Sequence, residues 1–401
     1  MKMKSISLVN LMACNLSASR GMVQSNERHF MNIPATAPIP ALTRNGLAVL
    51  RALRGSGPLT LGELAERIDV SRPTAGVGVG ELEEIGWVLS DRASQGMGRP
   101  ARRHALNAPA AAVVGVDLGL HSIRVVLHDL NEGLLADHRV ANHEGIGAAE
   151  QLDLLVSVIS EAAARAGSPP LLAIGVGLPG VVDRSGRIVI GPSHAGWGGL
   201  PLKGRLAAVF DCPILIENDA MAAASAEHQW GAGRGADSFV YLLGGHRTSS
   251  AIVINGRLLR GTNGAAGMVG ELPELQWEGS ARQLLNDGGA QGDDLLSVFA
   301  RAQDGDAVAS AAVDSYLDRL SVGLAAVALA IDPELVVLGG GISRVGAQIG
   351  PALQDRLHAR AHIIAPRIET SPLGAEATVR GAAHLAFTAV DGELDTRMRA
   401  I

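Results

Sequence analysis

Residues 115–133 read GVDLGLHSIRVVLHDLNEG. Val116 and Leu118 stand before a glycine-containing turn, and Ile123, Val125, Val126 and Leu127 follow it. Apolar, β-branched runs on both sides of such a turn predict a β-hairpin whose backbone comes close enough to hold a phosphate. Asp117 sits in the first arm. The turn itself departs from that chemistry, because Leu120 and His121 stand where a phosphate cradle needs glycine and a hydroxyl. The hairpin therefore reads either as a nucleotide site or as what remains of one.

Downstream, strand-like and helix-like segments alternate. LLAIGVGLPG, PILIEND, FVYLLGG, AIVING and ELVVLGGG are the strands, and helices are expected near 148–166, after Pro201, from Ala220, over 307–331, after Ser343 and near Gly381. That order gives an α/β domain in two halves, an arrangement that encloses a ligand between them.

The 401 residues are enough for two or three domains, and 47% apolar residues suffice for several cores. Aromatic residues make up only 3% while glycine reaches 50 positions, so close backbone approach replaces bulky packing. Cys14 and Cys212 are the two cysteines, too few for a disulfide framework or a cysteine-rich zinc site. Lys and Arg outnumber Asp and Glu 4 to 1 over residues 1–40 and 9 to 7 over 41–108, but trail 21 to 32 over 109–401. A basic front joined to an acidic body fits a nucleic-acid-facing module ahead of a soluble domain.

That module is legible at 41–107. Leu47, Leu50 and Leu53, then Leu61, Leu64, Ala65 and Ile68 after the break GSGP, recur at helical spacing. Asp69 and Val70 make a turn, and Ser71 with Pro73 caps and opens a third helix running to Glu84. This is a helix-turn-helix whose second helix enters the major groove by Ser71, Arg72 and Thr74. The segment from Trp87 to Asn107 reads as two strands around a glycine-rich wing tip bearing Arg99, Arg102, Arg103 and His104, cations for phosphates or a narrow minor groove. Gly76, Gly78 and Gly80 count against the reading helix, each costing about 1 kcal/mol against alanine. They leave open a winged helix kept only for dimer packing, or a protein that binds neither DNA nor ligand.

In residues 1–40, Lys2 and Lys4 precede ISLVNLMA, and LMAC resembles a bacterial lipoprotein cleavage site. Ser7 and Asn10 interrupt the apolar stretch, so a disordered leader or an overlong start, with Met31 as the true one, is the expectation. No apolar run approaches the roughly 18 residues of a membrane span. A cytoplasmic location follows from the DNA-binding module.

Five motifs in order now make a family recognisable: GVGLPGVVD (175–183), GWGGLPL (196–202), IENDAMAAASAE (216–227), INGRLLRGTNGAAG (254–267) and DPELVVLGGGIS (332–343). Together they closely resemble the ROK family of repressors and sugar kinases, across nearly all of 110–390. With a winged helix in front, the whole resembles the repressor branch. The resemblance implies a two-lobed actin-like ATPase fold, sugar in the cleft with ATP beside it in the enzymes, and a homodimer or dimer of dimers on a two-fold operator. It also implies that Asp219, at the position of the kinases' general base, takes a sugar proton in a working enzyme.

The departures from that family then decide what is expected here. The first phosphate turn, Asp-x-Gly-Gly-Thr in the kinases, keeps Asp117 and Gly119 but continues with Leu120 and His121. The second, Gly-Thr-Gly-hydrophobic-Gly, aligns with Gly245, His246, Arg247, Thr248 and Ser249. Neither closes on a phosphate, so ATP is not expected as a cofactor. The glycines at 339–341 are preferred as a tight turn. The sugar-holding Gly-Glu-x-Gly-His appears as residues 267–271 with Met268 and Glu271 in place of Glu and His, and His194 replaces an asparagine before the Gly-Trp turn. The cysteine-rich zinc motif is absent, so no structural zinc is expected. Asn218 and Asp219 remain as polar anchors for an effector, with His194, Met268 and Glu271 beside them. Asp219 is expected also to cap the following helix. The expectation is a DNA-binding regulator of carbohydrate genes that senses a small sugar-like effector, with residues 391–401 as a tail. The rival is a working sugar kinase with an accessory N-terminal domain.

Overall fold

The structure, a computed structural model, describes residues 38–91, 101–142, 147–191, 201–245, 247–290, 295–361 and 366–398. Arg99, His194, His246 and the segment 1–37 lie outside the described residues.

The N-terminal module follows its local sequence signals. Helix α1 (Arg44–Leu53) starts at Thr43, whose Oγ1 accepts from Gly46 N at 3.1 Å. Strand β1 (Leu59–Thr60) leads into α2 (Leu61–Arg67), opened by a capping box in which Thr60 and Glu63 each accept from the other's backbone amide. Ser71 caps α3 (Arg72–Glu84), accepting from Thr74 N at 3.3 Å, with Pro73 in the first turn. Strands β2 (Val88–Asp91) and β3 (Arg103–Leu106) form the wing, and β1 pairs on the outer side of β3, in the order β1-β3-β2.

The body repeats one topology twice. In the first lobe β4 (Ala112–Leu118), β5 (Ser122–Asp129) and β6 (Leu134–Ala141) form an antiparallel meander. Helix α4 (Ala148–Arg165) crosses back to β7 (Leu171–Leu178), which lies parallel beside β4. A small pair, β8 (Val181–Val182) with β9 (Ile188–Ile190), and α5 (Leu202–Ala207) precede β10 (Ile214–Asn218), parallel to β7, so the sheet reads β10-β7-β4-β5-β6. Helix α6 (Asp219–Trp230) closes the lobe.

The second lobe has β11 (Phe239–Gly244), β12 (Thr248–Ile254), β13 (Arg257–Leu258), then α7 (Ser280–Asp287), α8 (Leu295–Gln303) and the long α9 (Ala307–Ile331). It ends with β14 (Leu335–Gly340), α10 (Gly346–Ala361), β15 (Arg367–Thr370) and α11 (Ala377–Met398), in the sheet order β13-β12-β11-β14-β15. Both five-stranded sheets are thus a meander extended by two parallel strands, each with its own apolar core.

The two closing helices exchange partners: α11 packs on β4 and β7 of the first lobe, and α6 on β11 and β12 of the second. They cross where a Cβ at Gly381 would overlap the carbonyl oxygen of Ala222, so glycine is what allows that approach. Residues 391–398, expected as part of a tail, continue α11 instead. Phe387, Val390 and Leu394 enter one apolar cluster with Leu47, Leu50, Leu53 and Trp87 of the N-terminal module and with Val113 and Leu172 of the first lobe. Arg51 meets Asp395 at 2.8 Å and Arg54 meets Asp391 at 2.7 Å. The module is seated on the last helix of the chain, and the seat is mainly apolar burial, since exposed ion pairs contribute little.

Candidate ligand cleft and DNA-reading face

Between the lobes lies a cavity of about 270 Å³. Its floor is the hairpin turn after β4 and the start of α6, which bring Asp117 and Asp219 to one wall. Asn218, not Asp219, caps α6: its Oδ1 accepts from Met221 N at 3.0 Å, and its Nδ2 donates to Gly180 O at 2.9 Å and to Asp219 Oδ1 at 3.0 Å. The cap expected of Asp219 falls one residue earlier because the asparagine already stands in extended backbone there. Asp219 becomes the first helical residue, accepts from Ala220 N at 2.8 Å, and keeps its carboxylate on the cavity. Asn218 is fully buried and spent on positioning, not on the cavity wall.

Burial raises both acids. Asp117 is pushed up to about 7, first by desolvation and then by the charge of Asp219. Asp219 rises to about 6 by desolvation, against the pull of the Ala220 amide and Arg247. Two cations share the cavity wall: Arg139 from β6, whose guanidinium donates to Ser122 Oγ at 3.0 Å, and Arg247. Arg247 is held by Glu271 at 3.2 Å, with Glu278 at 3.8 Å. Ala375, in the turn before α11, and Thr378, in its first turn, also line the wall, and Thr378 Oγ1 donates to the Asp219 carbonyl at 3.5 Å.

The remaining expected site residues are spread out. Met268 is buried among Met221, Tyr241, Ala251 and Val253 and does not line the cavity, as an apolar side chain between α6 and the second sheet should not. Glu271 is exposed and reaches the site only through Arg247. Leu120 and His121 do line it, in the turn between β4 and β5. The glycine turn at 339–341 has an internal reason: a Cβ at Gly339 would overlap the Tyr241 hydroxyl, which fills the space beneath. Among the described residues no three His, Cys, Asp or Glu side chains gather as a metal site. Sequence reasoning missed Arg139 and Thr378. Only strand register and the return of the last helix bring them here.

On the N-terminal module, Ser71 Oγ is engaged with Thr74 Oγ1 at 2.7 Å, while Arg72 is exposed at the start of α3. Arg102 and Arg103 are not at a tip. Arg102 pairs with Glu83 at 3.0 Å, and Arg103, the first residue of β3, donates to Pro58 O at 2.9 Å. His104 is buried against Ser90, at 2.6 Å. Strand β3 starts earlier than the sequence suggested and pulls these side chains back onto the module. Arg102 and Arg103 both remain exposed, and Arg102 stands beside α3.

The ROK family profile matches residues 113–276 and 280–389. The chain belongs to the ROK family. A second profile, the IclR helix-turn-helix domain, matches residues 43–92, the stretch that holds α1 to β2. This ROK protein is 24% identical over 376 residues to the xylose repressor of Caldicellulosiruptor bescii, covering 84% of this chain and 94% of that one. It is 27% identical over 326 residues to the glucokinase of Thermotoga maritima, covering 71% of this chain and all of the kinase. Its fold resembles a crystal structure of a ROK family transcriptional regulator homologous to the E. coli MLC protein, with a TM-score of 0.68 at 22% identity, over 88% of this chain and 98% of the other. It also resembles the ROK hexokinase from Thermus thermophilus, with a TM-score of 0.56 at 30% identity, over 70% of this chain and 99% of the hexokinase. The actin-like two-lobed body expected from the motifs is the fold observed.

Proposed function

We propose that this ROK protein is a DNA-binding transcriptional repressor of carbohydrate-related genes, acting as a homodimer, whose cleft senses a sugar or related small polar ligand and no longer transfers phosphate. One observation carries the reading. Helix α11 begins on the cavity wall at Thr378 and ends in the seat of the helix-turn-helix at Leu394, so one rigid element joins ligand to DNA module. A ligand that draws the lobes together shifts the crossing of α11 and α6 and re-aims the module, provided it binds the two arrangements unequally. The match to a xylose repressor along 94% of its length, module included, supports the same reading.

Asp219 and Asp117 accept hydroxyl protons of the ligand, with Asn218 holding Asp219 in place. ATP fits poorly. Leu120 and His121 stand on the wall at the first turn and Arg247 is tied to two glutamates in the second, although Gly340 and Gly341 of the glycine turn do line the cavity. Phosphoryl transfer rests on positioning and charge neutralisation, and a base alone does not supply them. The side chains for a structural zinc are likewise not assembled among the described residues.

The test is a thermal-shift screen against sugars and sugar phosphates beside an ATP-coupled kinase assay. A ligand at one hundred times its dissociation constant adds about 2.7 kcal/mol. The expected result is a stabilising sugar that changes operator affinity, with no turnover. Turnover that disappears in Asp219→Ala overturns the repressor reading in favour of a kinase.

A further inference from the structure

Three glycines interrupt α3, and the fold needs only one of them. A Cβ at Gly78 would stand 2.7 Å from the Asn45 carbonyl oxygen and 3.0 Å from Val49, so α1 and α3 approach this closely only over glycine. At Gly80 a Cβ would meet nothing within 4 Å, and at Gly76 only Leu61 at 3.7 Å, an ordinary contact. Glycine weakens a helix relative to alanine, and no contact among the described residues offsets that at positions 76 and 80.

Both positions lie on the outward stripe of α3, opposite the buried Ala75, Gly78, Val79 and Leu82. The same stripe carries Pro73, Val77 and, at its end, the exposed Glu84, with Arg72 at its edge. Val77 is 63% exposed, a β-branched apolar side chain standing clear between two bare stretches of backbone. It follows Arg72 by five residues, about 7.5 Å along the axis and about 140° around it, so Val77 faces outward while the Arg72 guanidinium lies back beside Gly62 of α2.

We infer that Val77 is a base-reading residue that packs its methyl groups on the 5-methyl group of a thymine in the major groove. Gly76 and Gly80 let the α3 backbone descend to the base edges on either side. The thymine methyl is displayed only in the major groove and is read by apolar contact, whereas a polar or long side chain at 77 would read a different edge. Arg72 at the start of α3 and Arg102, which also meets Glu83 at 3.0 Å, supply cations near this stripe, and with the helix-turn-helix match over residues 43–92 they point to a nucleic-acid duplex as the occupant. Each half-site of the preferred operator therefore carries one thymine whose methyl group matters.

This inference rests on the DNA-binding reading, and its test separates the two. The full chain selects duplexes from a random-sequence library, and each thymine of the selected half-site is then replaced by deoxyuracil, which removes the methyl alone. Affinities are read by fluorescence anisotropy at fixed salt. The wild type loses about fourfold at one thymine per half-site, the worth of one buried methyl group. In Val77→Ala that loss disappears, and in Val77→Thr, which keeps one methyl, part of it remains. Gly80→Ala, which the fold tolerates, weakens the selected duplex more than random DNA. A flat uracil scan with the wild type, or the same sensitive thymine in Val77→Ala, overturns the assignment while DNA binding stands. Selection of no duplex at all overturns both.

Discussion

Replacing Asp117 by asparagine should make the protein more stable, by an amount that grows as pH rises from about 4 and is complete near 7. The side chain is held half-buried at the cavity floor beside a second acid, which raises it from 3.8 to about 7. At 1.36 kcal/mol per pH unit that rise is worth about 4 kcal/mol as an upper bound. The part of Asp117 open to cavity water brings it nearer to about 2 kcal/mol. The sign follows from proton counting. Below pH 3.8 the carboxyl is protonated in both the folded and unfolded chain, so it contributes no difference. Between 3.8 and about 7 the unfolded chain ionises while the folded one keeps its proton, and stability falls as pH rises, levelling off above 7. Asparagine has the same shape and no charge to bury, so Asp117→Asn avoids this loss. Thermal melts from pH 4 to 8 should show wild type and variant together at pH 4 and the variant higher at pH 8 by about 4–8 °C, at 2–4 °C per kcal/mol for a body of this size. A gain already complete at pH 4, or none at pH 8, would refute the burial argument.

Three further outcomes follow from the geometry. Gly78→Ala should destabilise the N-terminal module by about 1–3 kcal/mol through overpacking against Asn45, whereas Gly80→Ala should stabilise it by up to about 1 kcal/mol; urea unfolding followed at Trp87 separates them. Leu394→Ala, at a fully buried position, should cost about 2–5 kcal/mol and unseat the module, read as faster hydrogen exchange in α1 with α9 unchanged. Neutralising Arg99, Arg102 and Arg103 together should flatten the slope of log affinity against log salt by up to about 2.7; an unchanged slope means these side chains are not on phosphates.

Much of the molecule was legible because its signals are local. Ser71 and Pro73 set the start of α3, and the order of motifs from GVGLPG to GGG gave the two lobes. Readings failed where the reason lies far away in the chain. Gly78 reads as a defect until Asn45 is placed against it. Met268 stands in a ligand motif by alignment, yet an apolar side chain there is drawn into the core. Arg139 reaches the cavity only through the register that sets it opposite Arg124 across β5 and β6. The seat at the end of α11 left a trace that was not read: Phe387, Val390 and Leu394 repeat at helical spacing into the stretch expected as a tail.

The seat also sets an order of events during synthesis. Arg51 and Asp395, which close it, are 344 residues apart. At about 5–20 residues per second, the N-terminal module emerges roughly 17–70 s before its dock exists. For that interval it stands as a free head on an unfinished body, with Leu47, Leu50 and Leu53 lacking their final partners. A chain cut short before Ala377 would lack α11 altogether, leaving its reading head against Val113 and Leu172 with no helix to tie it to the cleft.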